Sequence, residues 1–120
     1  MGLACTRGDA PSDPVWGKEP CAHCAMLVSD KRYAAEIVTD GDRKFFDDIG
    51  CMVLWLDEHG GKAEHSWVRT PDAARWSDAT SSHYAEGAKT PMDFGFEPKA
   101  GDGLGWAEMR DRVRSRRIGR

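Results

Sequence analysis

The chain has 120 residues, 40% of them hydrophobic and 31% charged, which suits one globular domain or two small halves sharing a core and excludes a fibrous or disordered chain. A net charge of −3 gives no reason to expect nucleic acid as a partner. No apolar run approaches the ~20 residues that a bilayer-spanning helix needs.

At the N-terminus no charged segment precedes a hydrophobic run, so an intact secretory signal is missing. Met1-Gly-Leu-Ala-Cys5 nevertheless has the form of the end of a bacterial lipoprotein signal: small residues beside a cysteine, then the polar run Thr6 to Lys18. An ordinary terminus with a chance cysteine is the alternative. Residues 1–17, rich in Gly, Asp, Pro and Ser, read as a flexible leader.

Cys21-Ala-His23-Cys24-Ala-Met26 is the chemically densest stretch, with two thiols, an imidazole and a thioether in six residues. Thiolate and thioether sulfur together favour soft ions, Cu(I) above all. Cys24 and Met26 are two apart, so in an extended segment both side chains leave one face and can grip one ion. Cys21 and Cys24 also have the spacing of half a zinc site. A second Cys/His pair is not visible, although Cys51 and His23 could complete a set. A thiol–disulfide enzyme would want the CxxC at a helix N-terminus in a βαβ setting, and here a hairpin follows instead. Simple packing of Met26 is the remaining alternative. Four cysteines, unevenly placed, do not make a disulfide scaffold.

Beyond Leu27-Val28, Asp30 to Arg32 forms a turn and Tyr33 to Thr39 a strand. Asp40-Gly41-Asp42 is a hairpin turn before a short strand, Lys44 to Phe46. Asp47 or Asp48 then caps a helix whose Ile49, Met52, Val53 and Leu56 repeat at i, i+3, i+4 and i+7, and Gly60 closes it. Cys51 and Met52 are expected to pack there rather than to bind metal. Ser66 to Thr70 reads as a strand ending at Pro71.

The plan then recurs. Ser82 to Glu86 and Met92 to Phe96 are predicted strands, and a helix from Asp102 buries Trp106, Met109 and Val113. The fold class expected is α+β, with a first ββαβ half over residues 18–72 and a second ββα(β) half over 73–114 packed side by side. A basic tail follows over residues 115–120. The arginines between Arg110 and Arg120 alternate with Asp111, Val113 and Ile118, as on a solvated helix end. His59, His65 and His83 lack ligand spacing, and no Ser/His/Asp set, P-loop or GxGxxG occurs, so no catalytic activity is expected.

Taken in order, Cys21-Ala-His-Cys-Ala-Met26, Ala34-Ala-Glu-Ile-Val38, Phe46-Asp-Asp-Ile-Gly-Cys-Met52, Trp76-Ser-Asp-Ala79 with His83-Tyr84, and Thr90-Pro-Met92 resemble the NosL family. These are copper-binding accessory lipoproteins of nitrous oxide reductase maturation in denitrification. The resemblance implies paired ββαβ-type halves and a periplasmic lipoprotein anchored through Cys5. It also implies a Cu(I) metallochaperone whose partner is the membrane transporter and maturation machinery of that enzyme. Its copper-associated Cys-x-Met motif and later methionine map onto Cys24, Met26 and Met92, with Cys21 and His23 as possible additional donors. A small zinc-stabilised or thiol-redox module built on Cys21 and Cys24 is the rival.

Overall fold

A computed structural model describes residues 10–118; the lipidation candidate Cys5 lies outside the described residues. It is mixed α+β, with antiparallel sheets and two α-helices. The strands are β1 (Ala35–Thr39), β2 (Asp42–Phe46), β3 (His65–Arg69), β4 (Trp76–Asp78), β5 (His83–Glu86) and β6 (Phe96–Lys99). The helices are α1 (Ile49–Glu58) and α2 (Trp106–Ile118), with short 3₁₀ turns at Lys31–Tyr33 and Ala79–Ser81.

Four strands form one sheet in the order β2-β1-β3-β4, and β5-β6 form a separate pair. The β1–β2 register places Thr39 opposite Asp42, so only Asp40 and Gly41 make the turn. Their φ values of 52° and 80° are the left-handed pair that matches strand twist in a two-residue hairpin. Along β1, Ala35 and Ile37 enter the apolar core. The alternate residue Glu36 is equally buried, under Arg43 at 2.6 Å and the Ser12 backbone N–H. Residues 10–16 thus lie along the sheet, with buried Pro14 and with Trp16 stacked on Trp76 at 6.3 Å.

Asp48 caps α1, its Oδ1 accepting the Gly50 N–H at 2.9 Å. The predicted apolar stripe is present, but every residue from Ile49 to Leu56 is buried, so α1 is enclosed on all sides rather than on one. In α2, Met109 and Val113 are fully buried and Trp106 packs against the same core. Its outer arginines close onto the rest of the fold. Arg110 and Arg114 bracket Asp57, and Arg112 and Arg116 hold Glu86.

Two expectations need correction. The strand predicted over Met92 to Phe96 is displaced to Phe96–Lys99, and Thr90 to Gly95 is a turn. In that turn the Asp93 N–H reaches the Thr90 carbonyl, and Asp93 and Gly95 take φ of 65° and 89°, which extended pairing forbids. Pro98 can sit in β6 because a two-stranded sheet leaves it one unpaired edge. The second difference is β4, which sequence reasoning left out: it pairs with β3 and carries the first sheet beyond residue 72.

Candidate metal centre

Pro20 and Leu27 form an isolated antiparallel bridge, and the Cys21 N–H meets the Met26 carbonyl at 2.7 Å. Inside this closure the chain winds one turn, with the Ala25 N–H on the Cys21 carbonyl at 3.0 Å. Ala25 completes it at φ 68°, a left-handed conformation costing an L-residue about 1–2 kcal/mol. The turn folds Cys24 back over Cys21, so that its N–H points at the Cys21 Sγ from 3.5 Å. The Ala22 N–H docks the turn on the Phe45 carbonyl of β2 at 2.8 Å.

Beneath this turn lies the start of α1. Cys51, 1% exposed, projects from the first helical turn, and the Sγ atoms of Cys21, Cys24 and Cys51 all lie within 4.8 Å of one another. Three sulfurs each ~2.3 Å from one ion in a plane are about 4 Å apart, so the group needs to contract by less than about 1 Å to hold a metal. All three are free thiols. Cys21 and Cys51 are buried and Cys24 is half-buried, so the group has one sulfur toward solvent. Among the described residues no imidazole or carboxylate joins it.

The electrostatics favour one ready thiolate. Donation from the Cys51 thiol, followed by backbone N–H groups of Cys24, Asp47 and His23, holds the Cys21 thiol well below its ordinary range despite burial. The same hydrogen bond, with burial, pushes Cys51 far up; burial first of all raises Cys24. Asp47, buried beside them, is pushed up to about 6 by desolvation and then by the Cys21 charge. A cation placed among the sulfurs would favour the deprotonated form of each of these groups.

Of the residues singled out from sequence, Cys21 and Cys24 come together. His23 stays outside the sulfur group: its Nε2 is 3.7 Å from Glu58, and its buried Nδ1 has no hydrogen-bond partner. Met26 is 57% exposed on the surface of the turn. Met92 is half-buried, and its N–H is held by Asp48 Oδ2 at 2.9 Å, which ties its loop to the N-terminus of α1, the helix that carries Cys51. Phe94 of that loop lies on Gly50, leaving no room there for a Cβ.

For Cys51 the sequence favours packing over completing a metal set with the CxxC; the residue does pack in the core, and its sulfur also joins the group. A pointer to it was available: Gly50 and Cys51 are small residues lying off the stripe of Ile49, Met52, Val53 and Leu56, and they mark a second face where other chain approaches closely. Comparison of the chain with protein-family models, curated proteins and solved structures finds no match, so the chemistry of its own residues must indicate what the centre does.

Proposed function

We propose that this protein carries one Cu(I) ion, bound by Cys21, Cys24 and Cys51, and hands it to a partner without catalysing a reaction. The observation behind this reading is three free thiols converging within 4.8 Å, two buried and one half-buried. Cu(I) is satisfied by two or three soft donors, whereas structural zinc wants four. Buried Cys21 and Cys51 would retain the ion, and Cys24 would share it with an incoming ligand. Exposed Met26, two residues on, would offer a thioether during exchange, and Met92 a further one from the loop tied to α1.

The wider setting is proposed from the NosL-like phrases of the sequence. In that setting the chain is a periplasmic metallochaperone, lipid-anchored through Cys5, that delivers copper to the nitrous oxide reductase maturation machinery. The element orders β1-β2-α1-β3 and β5-β6-α2 are compatible with paired ββαβ-type halves. Among the described residues, no helix is long and apolar enough to cross a membrane.

Anaerobic titration against a Cu(I) chelator, repeated with Zn(II) present, tests the reading. One Cu(I) per chain, undisturbed by excess zinc, is expected; tight equimolar zinc that copper cannot displace would overturn it. The CxxC rival separates on Cys51→Ser. That change leaves the Cys21–Cys24 pair able to cycle as a disulfide but removes a copper ligand.

A further inference from the structure

We propose that a cleft remote in sequence from the thiols, where the β3–β4 end of the large sheet meets the β5–β6 pair, binds a tetrahedral oxyanion. The cleft has a volume of about 200 Å³, and its polar wall consists of Arg69, Ser77, Ser82, His83 and Lys99, with no carboxylate in the lining. Arg69 is the buried charge of the site, with its side chain only 5% exposed. Its Nη2 donates to the Ala73 carbonyl at 2.7 Å, but its Nε–H is buried and has no partner. Among the described residues the one carboxylate paired with it is Asp13, which is 62% exposed and 3.5 Å from Nη1, and which also accepts the Trp76 indole N–H at 2.8 Å. The guanidinium also lies over the Trp76 ring at 4.6 Å and the Trp16 ring at 5.5 Å, so aromatic faces and one exposed carboxylate share its charge, and it stands as a fixed cation in the wall of the cleft.

The β5–β6 register adds a second cation, Lys99, to the lining. His83 stands directly opposite Lys99, which sets an imidazole against an ammonium beside the guanidinium. Of the two hydroxyls, that of Ser77 can be redirected to a ligand. Ser82 Oγ donates to the Asp78 carbonyl at 2.6 Å, so Ser77 is the donor in their long 3.4 Å contact, a bond readily exchanged for a stronger one. Donors therefore converge from β3, β4 and β6 on different sides. A tetrahedral group with acceptor oxygens on every side fits such an arrangement better than a planar carboxylate does. Inorganic phosphate and the phosphate of a lipid headgroup share this chemistry.

The test is calorimetric titration of the full chain with inorganic phosphate, against chloride at matched ionic strength. Lys99→Gln and Lys99→Gln/His83→Gln serve as variants, since both side chains are exposed and lie outside the core. We expect one saturable phosphate per chain. Lys99→Gln should weaken it about tenfold, the equivalent of one charge-assisted hydrogen bond, and the double variant should abolish it. Co-sedimentation with phosphatidylcholine vesicles, with and without phosphatidic acid, identifies the source. Phosphatidic-acid-dependent binding that phosphate competes away assigns the headgroup, and phosphate binding without vesicle binding assigns the soluble anion. Absence of phosphate-specific heat, or affinity indifferent to both variants, would overturn the proposal.

Discussion

Removal of the Asp48 carboxylate probes how the loop carrying Met92 is fastened to the helix carrying Cys51. Asp48 is fully buried; one oxygen accepts the Gly50 N–H and the other the Met92 N–H, each at 2.9 Å. In Asp48→Ala the lost helix cap costs about 0.5–2 kcal/mol. The Met92 N–H, left without its acceptor, adds about 1–3 kcal/mol. Removing a buried charge returns part of this, because its desolvation is no longer required. The expected net loss is about 2–3 kcal/mol, a fall of roughly 10 °C in Tm for a chain of this size. Asp48→Asn retains one acceptor but must turn an amide N–H₂ toward one of the two donors, so it should lose about half as much. Urea unfolding followed by tryptophan fluorescence measures the stability, and amide hydrogen exchange reads the Met92 N–H directly. A loss below about 1 kcal/mol in Asp48→Ala, with Met92 exchange unchanged, would refute the carboxylate as the fastening between loop and helix.

Gly50→Ala should destabilise the fold although alanine is the better helix former. Its Cβ would lie 2.1 Å from the Phe94 ring, and overpacking of about 1–3 kcal/mol outweighs a propensity gain of about 0.5–1 kcal/mol. Urea unfolding should show part of the loss recovered in Gly50→Ala/Phe94→Leu. Asp57 makes an acid-sensitive contribution. Hydrogen bonds from Arg114, and then from Arg110, lower its pKa from 3.8 to about 2. The stabilisation is therefore present above pH 4 and fades as pH falls toward 2. Asp57→Asn should cost about 1–2 kcal/mol at pH 7 and converge with the parent protein near pH 2 in acid-unfolding curves. Met26→Leu keeps the apolar bulk of an exposed side chain and removes its sulfur. It should leave apo stability within about 0.5 kcal/mol and slow copper transfer to a chelator in stopped-flow measurements.

The elements most legible in the sequence were those whose local signals agreed with their packing. The Asp40-Gly41 turn needs two positive φ values and has residues that tolerate them, and α1 has both a capping Asp48 and an unbroken apolar run. β4 was hidden because Trp76–Asp78 is three residues long and exists as a strand only through its pairing with β3. Met92 to Phe96 looked extended from its alternating apolar residues, whereas the turn at Asp93 and Gly95 takes the chain out of that conformation. Two of the three thiols are visible in the sequence as the CxxC. Cys51 was concealed because an amphipathic pattern was assumed for a helix that is buried all round, and a cysteine in such a helix looks like packing from sequence alone.

Copper-edge X-ray absorption on the Cu(I)-loaded protein, compared with its Cys51→Ala variant, tests the thiol-triad reading most directly. Cys51 is the ligand on which that reading depends, since its sulfur lies within 4.8 Å of Cys21 and Cys24 only because the turn docks over α1. The expected result is one copper per chain in a three-sulfur shell, falling to two sulfurs in Cys51→Ala with copper affinity reduced about a hundredfold, the equivalent of ~2.7 kcal/mol. An unchanged sulfur count and affinity in Cys51→Ala would contradict the triad and return Cys51 to a purely structural role.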